Sequence, residues 1–284
     1  MRLRTLFLAP LFAALAFGQA DSNAPFPAHK VIGNVYYVGT GQLATFLVTT
    51  PEGHILINSD FESSIPAIRQ SVEKLGFKFP DIKIILGSHA HGDHMEGDAM
   101  LKELTGARVM AMEQDVPLLR NMRPGGKEHP IDRVLKDGDT VALGGTTLTA
   151  HLTPGHTPGC TTWTLRATEA GRTYDVLIVC SVGVNANFLL VNNPNYPGIA
   201  DDYRKSFTKL RTMHADVFLG AHGNFYDLPQ KYAKLEQGGA NPFVDDKALG
   251  VYLDRLEAAF NTRLREQQEG KLPAPKGKGK QAAK

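Results

Sequence analysis

The chain has 284 residues, with 31 Lys and Arg, 29 Asp and Glu, 10 His and two Cys; at 42% hydrophobic and 21% charged it is ordinary globular material. Its net charge of +2 belongs to the ends: Arg2 and Arg4 stand in the first 20 residues, and Lys271, Lys276, Lys278, Lys280 and Lys284 in the last 14, with no acid in either stretch. Removing those seven cations leaves residues 21–270 at −5, which excludes the basic face that nucleic-acid binding requires.

In chain order, Met1-Arg-Leu-Arg4, an apolar run from Thr5 to Phe17 and Gly18-Gln-Ala20 form the positive, apolar and small-residue regions of a secretory leader over 1–20. The apolar run falls short of the ~20 residues a spanning helix needs, and no later segment could span a bilayer. The mature protein is therefore expected in the periplasm, free of the membrane after cleavage. Strands are expected at Gly33–Gly39, Ala44–Thr49 and His54–Asn58, with Pro51-Glu-Gly53 as a turn. Ile65, Ile68, Val72 and Leu75 share one face of a helix over Ser63–Leu75, which Gly76 stops. Strand Ile82–Leu86, helix Ala99–Leu104 and strand Arg108–Met112 follow, an alternation that favours an α/β layered fold. The stretch 119–130, with Gly125-Gly126 and two prolines, reads as a mobile surface loop without regular structure, either a lid or an ordinary connection.

From Val134 the texture changes to strand and turn, with strands at Thr140–Leu143 and Thr146–Leu152 and a hairpin of Thr161–Arg166 and Tyr174–Val179. Cys160 and Cys180 flank that hairpin. A bridge between them is possible, but adjacent strands often hold cysteines at poor geometry, so two separate core thiols are the expected state. Ile199–Met213 is expected as a helix, Val217–Leu219 as a strand and Ala248–Gln268 as a final helix; 271–284 is a Lys-rich tail with no core-forming residues. The domain thus runs from 21 to 270, its halves similarly laid out as strands followed by helices.

The chemistry concentrates in Ser88-His-Ala-His-Gly-Asp-His94, directly after a strand. Imidazole and carboxylate are good zinc donors, and a strand exit can aim His89 and His91 at one point and Asp93 and His94 at another. Two further histidines follow strands: His156 in Thr153-Pro-Gly-His-Thr-Pro-Gly159, and His222 in Gly220-Ala-His-Gly223. His29, His54, His129, His151 and His214 lack that setting and read as surface or core residues.

These three segments resemble the metallo-β-lactamase superfamily, over roughly residues 30–260. The resemblance implies a single-domain, four-layer αββα sandwich with two Zn2+ per chain, one on His89, His91 and His156, the other on Asp93, His94 and His222. Most hydrolases of the superfamily add a bridging aspartate after the strand corresponding to Asp175–Val179; here Cys180-Ser-Val-Gly-Val-Asn185 follows, with Ser181 in its place. One β-lactamase subclass puts a cysteine on the second zinc near Cys180, but it does not use the histidine after the aspartate, which this chain has as His94. The stretch from Val179-Cys-Ser-Val-Gly-Val-Asn185 through Asn192-Asn-Pro-Asn-Tyr-Pro197 and Asp201-Asp-Tyr203 also resembles subclass B3, and the resemblance leaves Cys180 as a strand residue. Where many members have an aspartate ending the early strand, this one has Asn58, and an amide would hold a ligand imidazole less strongly.

The resemblance implies an exported β-lactamase. Zinc-bound hydroxide would open the amide of penicillins, cephalosporins and carbapenems, giving antibiotic resistance. Asp93 would orient the nucleophile, and Ser181 and Asn185 would hydrogen-bond the substrate unless they cap turns. The expected partner is the small β-lactam alone, bound by a monomer. Another metallo-hydrolase of the same fold, a lactonase or thioesterase, or a non-catalytic zinc-binding protein are the alternatives.

Overall fold

The computed structural model describes residues 24–271; the leader expected over 1–20 and the tail beyond Lys271 lie outside them. Two sheets carry the fold. The first holds β1 (His29–Ile32), β2 (Val35–Tyr37), β3 (Phe46–Thr50), β4 (Gly53–Ile57), β5 (Ile82–Leu86), β6 (Arg108–Met112) and β7 (Arg133–Leu135) in that order, antiparallel up to β4 and parallel from there on. The second holds β12 (Val217–Gly220), β11 (Arg172–Val179), β10 (Thr161–Glu169), β9 (Thr146–Leu152) and β8 (Thr140–Leu143), antiparallel except for the β11–β12 pair.

Period-two alternation decides what each face meets. Phe46, Val48, Ile55, Ile57, Ile84 and Leu86 point into the core shared with the second sheet. Leu47, Leu56 and Ile85 point the other way, onto Ile65, Ile68 and Val72 of α1 (Ile65–Lys74) and Leu101 of α3 (Asp98–Thr105). Beyond the second sheet, Tyr203 and Phe207 of α5 (Ile199–Arg211) pack on Phe260 of α7 (Ala248–Gln268). Helix, sheet, sheet, helix is the expected αββα order, in one domain. No helix among the described residues is long and apolar enough to cross a membrane.

Three expectations are corrected. The strand expected over Gly33–Gly39 is half of a hairpin: Gly33, at φ 53°, turns the chain between β1 and β2. The loop expected over 119–130 is partly regular. Its start belongs to α4 (Val116–Asn121), with Pro117 tolerated in the first turn, and Pro124–Gly126 forms a 3-10 turn. His129 lies buried in that stretch, 3.2 Å from the Asp98 carboxylate. Finally, the two cysteines are bridged, with Cα atoms 5.8 Å apart. Cys160 precedes β10 and Cys180 follows β11, so neither is held to the fixed spacing of a ladder, which is what made adjacent-strand pairing unfavourable. Besides α4, two helices among the described residues escaped the sequence reading: the single turn α2 (Gly92–Met95) and α6 (Leu228–Glu236).

Candidate metal centre

The six donors gather where strands of both sheets end. β5 stops at Leu86, and the chain turns tightly, with His91 N–H donating to His89 O at 2.8 Å. α2 then begins, placing Asp93 and His94 on its first turn. His156 sits in the β9–β10 connection, where Gly155 takes φ 132°, a value that excludes a side chain there. His222 comes two residues after β12, and its backbone bridges to Leu43.

Two triads result. The ring centroids of His89, His91 and His156 lie 4.7, 4.6 and 4.9 Å apart in pairs. In the other triad His94 Nε2 is 3.1 Å from His222 Nε2, and Asp93 Oδ2 is 3.4 Å from the first and 3.8 Å from the second. The triads adjoin, with the His89 and His94 rings 4.2 Å apart.

Electrostatics keep the imidazoles neutral. Burial, reinforced by the neighbouring histidines, holds His89 and His94 well below the usual imidazole range and brings His156 down to about 3. Burial also lowers His91 and His222, against the pull of Asp93. Neutral imidazoles keep the lone pair a metal needs. His89 Nε2 is buried with no partner among the described residues, an arrangement costly for a polar atom unless something binds it. Two of the far nitrogens are tied back: His89 Nδ1 lies 3.1 Å from Ser88 Oγ and His156 Nδ1 3.2 Å from Gly183 O. Donor set, convergence and orphaned nitrogen all fit metal ions.

Other residues fall into place around the triads. Cys180 Sγ comes within 3.5 Å of His89 Nδ1, but a bridged sulfur has no thiolate to offer a metal, which closes the cysteine-ligand alternative. Asn58 does not touch an imidazole directly; it accepts from Ser88 N at 2.9 Å and donates to Ala44 O at 3.0 Å. Ser181 is buried, and its hydroxyl accepts from Gly183 N at 3.3 Å, as a turn cap does. Asn185 is exposed. Neither lines the groove of about 310 Å3 beside His91 and His156, whose walls are Leu118, Phe188, Leu189 and Tyr196 and whose amides are Asn187, Asn193 and Asn195.

Two acids near the centre were missed. Asp60 is fully buried; burial pushes its carboxyl up to about 8, Thr45 pulling the other way and the Asp93 charge adding to the rise. Asp115, just past the end of β6, is also buried, and burial raises its carboxyl against hydrogen bonds from Ala90, Thr157 and Gly159. A signal for Asp115 was available: it follows a strand, as every ligand segment does.

The chain belongs to the metallo-β-lactamase superfamily, whose family model matches residues 38–222, a span that ends on the last of the six donors. Among solved structures, the FEZ-1 metallo-β-lactamase from Legionella gormanii is 45% identical over 86% of this chain and 98% of its own, with a TM-score of 0.82. BJP-1, a subclass B3 metallo-β-lactamase of Bradyrhizobium japonicum, is 40% identical over 89% and 99%, also at 0.82. The resemblance to subclass B3 is thus structural as well as sequential. Curated relatives point more broadly. A hydroxyacylglutathione hydrolase of Bradyrhizobium is 28% identical over 83% of this chain and 79% of its own. A probable metallo-hydrolase of Burkholderia pseudomallei is 36% identical, but the match spans about a third of either protein, 33% of this chain and 34% of the relative.

Proposed function

We propose that the protein is a zinc-dependent β-lactamase of subclass B3 type, holding two Zn2+ and opening the amide of penicillins, cephalosporins and carbapenems. The observation that carries the reading is the pair of adjoining triads with no acid in the segment 180–185 after β11, on a fold whose near full-length neighbours are β-lactamases. His89, His91 and His156 would hold one ion, and Asp93, His94 and His222 the other. Zinc supplies Lewis acidity and lowers the pKa of bound water to about 7.

The chain's own residues do the rest. Lowered imidazole pKa values keep all five histidines unprotonated at neutral pH, so no cationic ring competes with a metal. Asp93 turns Oδ2 to His94 and His222 and would, beside holding the second ion, orient the nucleophile. Phe188 and Leu118 give the substrate's side chain an apolar wall, and Asn187, Asn193 and Asn195 offer it amide hydrogen bonds. No serine nucleophile is needed, so inhibitors that acylate serine should fail. The leader over 1–20 would deliver the enzyme to the periplasm, where it would protect targets outside the cytoplasmic membrane and give antibiotic resistance.

A second reading, thioester hydrolysis, draws on the hydroxyacylglutathione hydrolases among the relatives; the acid missing at 180–185 counts against it. A panel of a penicillin, a cephalosporin, a carbapenem, a lactone and a glutathione thioester, run on the mature protein with zinc analysis, separates the two. β-Lactam turnover that stops in chelator is expected. Fast lactone or thioester turnover without β-lactam turnover would overturn the reading.

A further inference from the structure

We propose that Asp115 is the positioning residue of the trihistidine half of the centre, a single carboxylate that clamps the tips of its two ligand loops in register. The inference rests on the reading of His89, His91 and His156 as one metal site. Those histidines come from different sheets, His89 and His91 after β5, His156 between β9 and β10. At their roots the loops are tied by Thr161 N donating to Ser88 O at 2.8 Å and Trp163 Nε1 donating to Gly87 O at 3.1 Å. Nearer the donors, the cross-link is Asp115.

Its two oxygens accept three hydrogen bonds. Oδ2 takes the N–H of Ala90, the residue between His89 and His91, at 2.8 Å, and the hydroxyl of Thr157, the residue after His156, also at 2.8 Å. Oδ1 takes the N–H of Gly159 at 2.6 Å. The carboxylate is 2% exposed, so these bonds meet little competition from water. Bonds to a charged acceptor are roughly twice as strong as neutral ones. The same residue stands at the start of α4, whose Leu118 walls the groove, so clamp and groove share one support.

The sequence is cut to fit this contact. A Cβ built on Gly159 would come within 2.5 Å of both Cγ and N of Asp115. Real Cβ atoms do not approach so closely, so any side chain at 159 would push the loop off the carboxylate. The last glycine of Thr-Pro-Gly-His-Thr-Pro-Gly is thus needed for the clamp rather than for the turn around His156. Asp115 also places a negative charge near His91, which raises that imidazole's basicity.

The test is site-resolved metal binding on the purified full-domain protein: competition with a chromophoric chelator for zinc, and the absorption spectrum of the cobalt(II)-loaded form. Wild type, Asp115→Ala, Asp115→Asn, Thr157→Val and Gly159→Ala are compared, together with the melting temperature of each stripped protein. Asp115→Ala should weaken the first ion by about 10–100-fold, the range seen when a group supporting a ligand is lost, and change the second by less than about 2-fold. Asp115→Asn should fall between. Gly159→Ala should reproduce part of the loss with Asp115 intact, and it and Thr157→Val carry the test if Asp115→Ala does not fold. A part that is only structural would lower the melting temperature without splitting the two sites. First-ion affinity unchanged in the folded variants, or both ions weakened alike, overturns the proposal. Failure of the metal reading itself would show separately, as absence of zinc from the wild type.

Discussion

The two triads are built from similar donors but supported differently. In the His89, His91 and His156 triad, two of the imidazoles have a partner behind them, Ser88 Oγ or Gly183 O, and the loops between are held by backbone and side-chain bonds. The Asp93, His94 and His222 triad is looser. Only His222 has a backbone partner behind it, Gln42 O; His94 Nδ1 is buried without a partner among the described residues, and the Asp93 and His222 side chains are 31% and 25% exposed. Donors held rigid by a second set of groups lose less freedom on binding, so the trihistidine half should hold its ion more tightly. The difference teaches that ligand identity alone does not rank two sites; what stands behind the ligands does.

The largest effect should come from removing a donor of the rigid half. His156→Ala opens the trihistidine set, and β-lactam turnover should fall at least about 1000-fold, since most of the rate is expected to depend on metal-activated water. Steady-state kinetics with zinc in excess checks it. His94→Ala is the counterpart in the loose half: it should empty the second site while the first stays filled, read as one zinc per chain by elemental analysis. Two zincs retained would break the assignment of His94, and loss of both would mean that the halves are not independent.

How much of this was legible in the sequence follows from the kind of signal each part leaves. The ligands were readable because donors cluster in Ser88–His94 and because proline and glycine mark the turn at His156. The strands that aim them were readable because buried parallel strands are short apolar runs, and Ile82–Leu86 was placed to the residue. Asp60 and Asp115 were not read: Asp115 meets Thr157 and Gly159 only after the two sheets stack, so its place after a strand was the one local sign it left, and Asp60 is a lone acid whose burial beside Thr45 no short pattern announces. The groove amides Asn187, Asn193 and Asn195 were not read beside Ser181 and Asn185 for a related reason. The path of 180–199 is irregular, and neither period nor turn chemistry says which of its polar residues face inward. The disulfide was weighed but not expected, because the two cysteines flanking the hairpin were judged by the poor geometry of paired strands, whereas both lie just beyond the strand ends.

The halves also predict an acid response, of intermediate size. With metal stripped, the folded protein refuses protons that the unfolded chain would take. His156 titrates near 3 when folded against 6.5 for a free imidazole, and His89 and His94 are lowered as well. Between those values the unfolded state binds more protons, so stability falls as pH drops below about 6.5, by up to about 1.4 kcal/mol per pH unit for each such group. Asp60 works in the opposite direction: its carboxyl is raised to about 8, so its contribution is complete below 3.8 and fades as pH rises through 8. Asp115 and His129, both raised, act with Asp60, but the five lowered imidazoles of the centre outnumber them, so the melting temperature of the stripped protein should fall from pH 7 to pH 5. A rise over that range would place Asp60 in control instead.

The smallest effect tests whether Asn58 belongs to the metal centre or to the fold beneath it. Its φ is 65°, a region that Asn and Asp both tolerate, so Asn58→Asp leaves the backbone alone and changes only hydrogen bonding. The bond accepted from Ser88 N survives. The bond donated to Ala44 O becomes an approach of two buried oxygens, a loss of about 1–3 kcal/mol. Protonating the new carboxyl would restore a donor, so the deficit should shrink as pH falls from 8 to 5. Zinc affinity should change by less than about 3-fold, because the side chain reaches the ligand loop only through the Ser88 backbone. A tenfold tighter zinc in this variant, with stability unchanged, would show instead that position 58 acts on the ligand imidazoles through the Ser88–His89 turn, as the superfamily's aspartate pattern implies.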